Sequence, residues 1–355
     1  MGMSFWRNRK VFLTGHTGFK GAWMALMLAE WGAEVTGYAL PPEGARHLYG
    51  NLFPLEGCHS IFGDIMDVPA LRKAVSDYQP EIVIHMAAQA IVRRSYREPL
   101  QTFEANVMGT LNVLAAAQAC PSVKLVLAIT SDKVYHNPDT GVPFKESDPL
   151  GGDDPYSASK AACEIAVASW RKSFAGKGPI VLTARGGNVI GGGDWAEDRL
   201  VPDVFRAWEK GEPVELRYPE STRPWQHVLD VDAGYLHYIA TAIERKGDVP
   251  PNLNLGPENE QPLPARVVVE TLASYWHDAP GWRKGEAPAL PEKKALALDV
   301  SLARESIGWR PRYTAAEALR HTAAWYSAAH DGEEMKRFSR QQIHAYFENN
   351  KKMTA

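Results

Sequence analysis

The fold is decided by the stretch Lys10-Val11-Phe12-Leu13-Thr14-Gly15-His16-Thr17-Gly18-Phe19-Lys20-Gly21. Its first five residues form an apolar run that predicts a buried strand. A helical pattern follows over residues 22–31, and residues 34–38 predict a second strand. Strand, glycine-rich turn, helix and strand in this order are the context in which a dinucleotide binds.

The turn carries its glycines as GxxGxxG. Gly15 permits a tight turn, Gly18 lets the backbone approach a pyrophosphate, and Gly21 allows close helix packing. The following helix start offers free N–H groups and a positive dipole end to phosphates. An ordinary glycine-rich turn is the alternative, but the flanking elements favour a cofactor site. The candidate cofactor-binding residues here are Gly15, His16, Thr17, Gly18, Phe19 and Gly21.

The end of the second strand leaves the choice between NAD and NADP open. An acid at this place would hold the ribose 2′-hydroxyl of NAD. The sequence instead has Ala39-Leu40-Pro41-Pro42, and the nearest arginine is Arg46.

Further apolar runs predict strands at 61–64, 81–85, 125–129 and 181–185, with helical segments between several of them. One of these, over 96–119, is interrupted by Pro99. Alternating strands and helices predict an α/β fold, a Rossmann-type doubly wound parallel sheet with ligands at the carboxyl ends of its strands. Further cofactor-binding candidates at or near these ends are Asp64, Ile65, Ala87, Ala88, Gln89 and Asn106.

The amino-acid composition changes after Arg185. Gly- and Asn-rich loops follow, and later a Pro-rich link that reaches Pro291. We therefore expect an NAD-binding Rossmann domain over 1–190, with a later contribution from about 228–256. A smaller C-terminal substrate-binding lobe, formed by 191–227 and 257–355, is expected to bind a nucleotide-sugar. The charged tail after Asp331 predicts a solvated helix.

Tyr156 and Lys160 are four residues apart and share a face of a predicted helix. A nearby ammonium lowers the pKa of a phenol, and a phenolate can take the proton of an alcohol while hydride leaves the same carbon. An amphipathic surface pair is the alternative. The position of this pair, after a Rossmann turn and five strands, favours the catalytic interpretation.

Composition excludes several other classes of protein. The formal net charge of −3 argues against nucleic-acid binding. No apolar run is long enough to cross a membrane, and no metal-ligand spacing occurs. The 3 cysteines form no CxxC pair, which indicates a reducing compartment, so we expect a cytoplasmic protein.

The chain resembles the extended short-chain dehydrogenase/reductase family over nearly its whole length. The resemblance rests on the three glycines of the turn, Ser131, Tyr156-x-x-x-Lys160, and the segments 185–188 and 223–225. Asp132-Lys133 and the stretches 15–21, 92–99, 187–195 and 223–229 narrow it to the 4,6-dehydratases that act on CDP-glucose. Among the departures from that group, Asp230-Val231-Asp232 replaces a Glu-Pro-Leu pattern.

The resemblance implies a redox-neutral loss of water with bound NAD. Tyr156 takes the proton of the sugar 4-hydroxyl, Ser131 bonds the 4-oxygen, and hydride passes from C4 to NAD and later to C6. Lys133 removes the C5 proton, and Asp132 protonates the departing 6-hydroxyl. A surface turn is the alternative for Asp132-Lys133.

The resemblance also implies a nucleotide-sugar substrate, with CDP-glucose favoured, and a role in deoxysugar and lipopolysaccharide O-antigen biosynthesis. It implies a homodimer formed through a four-helix bundle of the helices near 100–118 and 156–174, or a dimer of dimers. An NAD-dependent epimerase or net oxidoreductase and a non-enzymatic binding protein are the alternatives. The candidate substrate-binding residues are Arg94, Asn188, Arg199, Arg223 and Arg304.

Overall fold

The computed structural model describes residues 3–258, 262–286 and 296–348. The strands along the chain are β1 (Lys10–Thr14), β2 (Glu34–Ala39), β3 (Cys58–Phe62), β4 (Ile82–His85), β5 (Leu125–Ile129), β6 (Ile180–Arg185), β7 (Val189–Ile190), β8 (Val214–Leu216), β9 (Thr222–Arg223), β10 (Gln226–His227), β11 (Asn252–Asn254), β12 (Leu263–Pro264) and β13 (Trp282–Lys284). Seven of them form the central parallel sheet, in the order β11-β6-β5-β4-β1-β2-β3.

Helices cover both faces of this sheet and build the C-terminal part of the protein. They are α1 (Phe19–Glu30), α2 (Leu48–Leu52), α3 (Val68–Tyr78), α4 (Val92–Arg97), α5 (Pro99–Phe103), α6 (Gly109–Gln118), α7 (Pro155–Ser173), α8 (Leu200–Trp208), α9 (Val228–Glu244), α10 (Ala265–Ala273), α11 (Ser301–Ile307), α12 (Ala315–His330) and α13 (Met335–Glu348).

The sheet is buried on both sides because successive residues of a strand point to opposite faces. Val11 and Leu13 of β1 enter one hydrophobic core with α1 and α9, whereas Phe12 enters the other with residues of α3, α6 and α7. All neighbouring strands pair in parallel. The predicted Rossmann-type doubly wound sheet is therefore confirmed, and its chain reversal lies between β1 and β4.

Two predicted elements differ in detail. The third strand runs over Cys58–Phe62 and so ends two residues earlier than predicted. The long helix is broken at Glu98, and its middle, Glu104–Met108, winds as a π-helix between α5 and α6. Sequence reasoning missed α3 and α8.

The C-terminal part of the protein contains short two-stranded sheets and a helix with a capping box. Small two-stranded sheets join β7 to β10, β8 to β13 and β9 to β12. Thr314 and Glu317 form a capping box that starts α12. The tail is helical as predicted, but α13 buries one face, including Ile343 and Tyr346, so its prediction as a solvated helix is wrong. The proposed division into two domains stays a prediction.

No helix within the described residues is both long and apolar enough to span a membrane. The predicted Pro-rich link falls partly on residues 287–295, which lie outside the described ranges.

Candidate active site

A cleft of about 1460 Å³ opens at the carboxyl ends of β1, β4 and β5. Its walls come from the glycine-rich turn, the loops after β2, β3 and β4, the turn after β5, the start of α7 and the segments 186–203 and 215–225. Of the predicted site residues, all except His16, Asn106 and Arg304 line this cleft. The sequence-predicted groups therefore come together in one place.

The glycine-rich turn is closely packed where glycine was predicted to be needed. Gly15 has φ +79°, and a Cβ there would lie 2.6 Å from the backbone nitrogen of Ala87. A Cβ on Gly21 would lie 2.1 Å from the carbonyl oxygen of Gly15. Larger residues at either position would push apart β1, α1 and the loop after β4.

The start of α1 is open for an anion. Within the described ranges, no side chain caps Gly18, and the first helical turn holds no acid. The uncapped N–H groups and the positive dipole end face the cleft, which is the arrangement that binds a pyrophosphate. Asp64, Ile65 and the 87–89 segment also line the cleft. A dinucleotide such as NAD thus fits the residues present.

Two predicted cofactor residues act from behind the cleft wall. His16 is fully buried and its Nε2 lies 2.6 Å from the Ser60 hydroxyl; burial lowers its pKa to about 4. Asn106 accepts a hydrogen bond from the Gln89 backbone N–H at 2.9 Å and donates to the Gln89 carbonyl at 3.0 Å. Both side chains hold the loops that line the cleft, and contact of either residue with the cofactor stays a prediction.

The turn after β5 places the carboxylate of Asp132, the proposed acid, in a closely packed position. Ser131 caps the short 3₁₀ helix Asp132–Val134 through its hydroxyl, which accepts from the Lys133 backbone N–H at 3.2 Å. The Asp132 carboxylate is buried and accepts from Ser131 Oγ at 3.0 Å and from Asn188 Nδ2 at 3.1 Å. A Cβ on Gly187 would lie 1.9 Å from this carboxylate. Sequence reasoning missed Gly187, which makes room for the acid.

Tyr156 and Lys160, called here the redox pair, lie in the first turns of α7. Asp154 caps this helix by accepting from the Ser157 backbone N–H at 2.9 Å, and Pro155 is its first residue, so the helix begins just before Tyr156. The Lys160 ammonium is buried and donates to the Ile129 carbonyl at 3.1 Å. This contact ties α7 to the end of β5.

Burial shifts the pKa values of Tyr156 and Lys160. Burial raises the pKa of Tyr156 to about 12, although a hydrogen bond with Ser131 and the charge of Arg199 lower it. Burial also lowers the pKa of Lys160. Burial of the phenol outweighs the lowering of its pKa by the neighbouring Arg199, and the predicted lowering by Lys160 stays a prediction.

The predicted substrate arginines divide into two groups. Arg94, Arg199 and Arg223 line the cleft, and Arg94 pairs with Glu98 at 2.9 Å and Glu43 at 3.0 Å. Arg304, on α11, does not line the cleft, and its guanidinium pairs with Glu258 at 2.6 Å. A substrate contact for Arg304 stays a prediction. Asn188 lines the cleft, but its amide is used to hold Asp132.

A further charged cluster lies beside these residues and was missed. Lys20 lines the cleft, and burial lowers its pKa to about 8 while Asp232 on α9 raises it. Asp232 is fully buried, and its two oxygens lack hydrogen-bond partners among the described residues; burial raises its pKa well above the usual range. The departure at 230–232 was the available signal. A group of three or more side chains able to hold a metal ion is absent from the part of the chain that the structure describes.

Arg46, the arginine nearest the end of β2, is occupied elsewhere. Its guanidinium makes two hydrogen bonds to Glu209, at 2.5 and 2.8 Å, and lies 3.5 Å from the centroid of the Trp195 ring. The loop after β2 is thereby fastened to the substrate side of the cleft. An arginine held in this way is not presented to a 2′-phosphate, so this geometry favours NAD over NADP.

Comparison with known proteins agrees with this geometry. A family model described as the NAD dependent epimerase/dehydratase family matches residues 11–256. A CDP-glucose 4,6-dehydratase of Salmonella typhimurium (strain LT2) is 39% identical over 349 residues, covering 97% of each chain. A dTDP-glucose 4,6-dehydratase of Xanthomonas campestris pv. campestris is 28% identical and covers 88% of this chain and 92% of its own.

The fold has solved counterparts. A UDP-glucose-4-epimerase from Stenotrophomonas maltophila, solved with bound NAD, superimposes with a TM-score of 0.79 at 22% identity. The match covers 90% of this chain and 98% of the epimerase. At this identity the likeness concerns the fold.

Proposed function

The chain belongs to the NAD dependent epimerase/dehydratase family, and from this membership we propose that it is a lyase, a nucleotide-sugar 4,6-dehydratase. Its reaction converts CDP-glucose to CDP-4-keto-6-deoxy-glucose. One observation carries the proposal: the buried Asp132 carboxylate, seated over Gly187, lines the same cleft as Tyr156 and Lys160. An alcohol oxidation alone has no use for a second acid–base pair.

The redox half of the reaction uses Tyr156. Bound at the glycine-rich turn, NAD would supply a hydride acceptor for C4 and, once reduced, a hydride donor for C6. Tyr156 Oη takes the proton of the 4-hydroxyl, and Ser131, which hydrogen-bonds the phenol, is placed to hold the 4-oxygen. Lys160 and Arg199 are the cations that favour the phenolate form against its burial.

The elimination half uses the neighbouring turn. The 4-ketone acidifies the C5 proton, which moves to Lys133 Nζ and returns from there to C5 when hydride adds to C6. The 6-hydroxyl leaves as water after it receives a proton from the Asp132 carboxyl, because hydroxide is a poor leaving group. Hydrogen bonds from Ser131 and Asn188 fix the direction of that carboxyl.

The nucleotide is proposed to be CDP on the strength of the 39% identity to a protein named CDP-glucose 4,6-dehydratase, against 28% for the dTDP-glucose relative. Arg199 and Arg223 line the substrate half of the cleft and supply guanidinium groups that suit a diphosphate.

A sugar panel tests the proposal. The purified protein is incubated with CDP-, dTDP-, GDP- and UDP-glucose, and products are followed by mass and by the alkali-induced absorbance of 4-keto-6-deoxy sugars. We expect loss of water from CDP-glucose. Product of unchanged mass and inverted C4 would instead identify an epimerase, and net reduction of added NAD would identify an oxidoreductase.

Two variants separate the roles. Lys133→Met should abolish exchange of the C5 proton with solvent, and Asp132→Asn should allow that exchange while slowing loss of water. Full-rate exchange in Lys133→Met would refute its role as base.

We also propose a homodimer. Large apolar side chains are exposed on α5, on the π-helical segment and on α7, with exposed fractions of 73% for Leu100, 48% for Met108 and 60% for Ile165. An apolar face of this kind indicates a protein contact, and a second copy would form the expected four-helix bundle. Light scattering should give twice the chain mass, or four times it for a dimer of dimers, and Leu100→Glu/Ile165→Glu should give monomers.

The three cysteines are free thiols, which supports a cytoplasmic location.

A further inference from the structure

A buried ion pair lies directly behind the catalytic groups. Arg185, at the end of β6, donates from Nη2 to Glu164 Oε2 at 3.0 Å, and both side chains are 4% exposed. Glu164 also accepts from the hydroxyls of Thr130 at 2.5 Å and Thr183 at 2.8 Å. Removing two charges from water is costly, and their attraction offsets that cost only where the geometry is good. Arg185 Nε has no hydrogen-bond partner among the described residues, so the pair depends on the contacts of the two Nη atoms and of the carboxylate. Neither Arg185 nor Glu164 lines the cleft.

Glu164 connects the redox pair, Tyr156 and Lys160, to the turn that carries Asp132 and Lys133, called here the elimination turn. It stands one helical turn after Lys160 on α7, and Lys160 itself bonds the Ile129 carbonyl. Thr130, its partner, lies between Ile129 and Ser131 at the end of β5. The carboxylate therefore joins the helix that carries Tyr156 and Lys160 to the strand end that leads into Asp132.

Arg185 contacts the other end of the same turn, at Tyr135. Its Nη1 donates to Tyr135 Oη at 2.8 Å and to the Glu146 carbonyl at 3.2 Å. Tyr135, two residues after Lys133, donates in turn to Asn254 Oδ1 at 2.6 Å. The elimination pair is thus held on both sides, at Thr130 and at Tyr135, by one ion pair.

We propose that Arg185 and Glu164 are positioning residues that set the register between Tyr156–Lys160 and Asp132–Lys133, so that a sugar oxidised at C4 loses water before it is reduced again or released. This inference rests on the proposed dehydratase function. It predicts that loosening the link leaves C4 oxidation intact and slows the elimination.

A matched pair of variants tests it. Thr130→Val and Thr183→Val each remove one hydroxyl that donates to Glu164 and keep a β-branched side chain of nearly equal size. Only Thr130 leads into the elimination turn, although its hydroxyl also lies 3.3 Å from the Ala184 carbonyl. Both variants should lose similar thermal stability.

The readout is the partition between the two halves of the reaction. In Thr130→Val we expect reduced nicotinamide and the 4-keto sugar that retains its 6-hydroxyl to accumulate in the steady state. The elimination should slow by at least about tenfold, since misplacement by a fraction of an ångström has effects of this size. Thr183→Val should partition as the unaltered protein does.

Equal partition in the two variants would overturn the proposal. If Thr130→Val fails to fold, Tyr135→Phe, which removes the other link, takes its place and must show the same accumulation. Failure of the unaltered protein to dehydrate any nucleotide-glucose would defeat the proposed function, whereas an active protein with unchanged partition in the variants would defeat this inference alone.

Discussion

Replacement of Gly187 by alanine should displace the proposed acid and little else. The new Cβ would lie 1.9 Å from Asp132 Cγ, whereas ordinary contact begins near 3.4 Å, so the carboxyl must retreat by about 1.5 Å. A misplacement of roughly 1 Å can cost on the order of 10²-fold in rate. We therefore expect kcat for water loss to fall about 10²-fold, or about 2.7 kcal/mol in the barrier.

The assay separates oxidation from elimination in Gly187→Ala. Reduced nicotinamide should still form with substrate, while the 4-keto-6-deoxy product appears slowly. Gly186→Ala is the matched control, because its Cβ would meet the Tyr235 hydroxyl at 3.0 Å and leaves Asp132 in place. In an Asp132→Ala background the collision partner is gone, so adding Gly187→Ala should change the rate little. Full activity of Gly187→Ala, or additive losses in the double variant, would refute the proposal that Gly187 makes room for the Asp132 carboxyl.

Three further outcomes follow from the geometry. Gly21→Ala should lose NAD affinity, measured by calorimetry, because its Cβ would lie 2.1 Å from the Gly15 carbonyl oxygen; unchanged affinity would contradict the packing role of this glycine. Arg304→Ala should leave KM for the nucleotide-sugar within about twofold, and a large rise would restore the substrate role that its pairing with Glu258 argues against. The free energy of unfolding, from denaturant midpoints, should fall by about 1.6 kcal/mol per buried histidine between pH 6.5 and 5. The unfolded chain takes up protons there, whereas burial lowers the folded pKa to about 4 in His16 and about 3 in His85 and His227; constant stability over this range would contradict neutral buried imidazoles.

Local pattern accounts for what could be predicted from the sequence. The apolar run Leu125–Ile129 matches its strand at both ends, and the glycine spacing predicted the turn beneath α1. The start of α3 also carried a readable signal that was overlooked, since Asp67 caps the helix and a proline stands in its first turn. Such features depend on residues that are close in the chain, so they can be recognised from the sequence.

Contacts between distant residues account for what could not be predicted. The fit of Gly187 against Asp132 joins segments 55 residues apart, and no local spacing marks it. The pairing of Arg304 with Glu258 could not be predicted from the residues next to Arg304 in the sequence, because the two are 46 residues apart. The pKa of Tyr156 depends on burial, which a helical spacing does not report.

The attachment of Arg46 to Trp195 and Glu209 has a thermodynamic consequence. One side chain belongs to both halves of the cleft, so a ligand that orders the loop after β2 also orders the opposite wall. An exposed ion pair and a cation–π contact contribute together at most about 2 kcal/mol. Linkage is reciprocal: any factor by which the cofactor raises the affinity for the nucleotide-sugar is also the factor by which the nucleotide-sugar raises the affinity for the cofactor, and this contact can contribute up to about 30-fold to it.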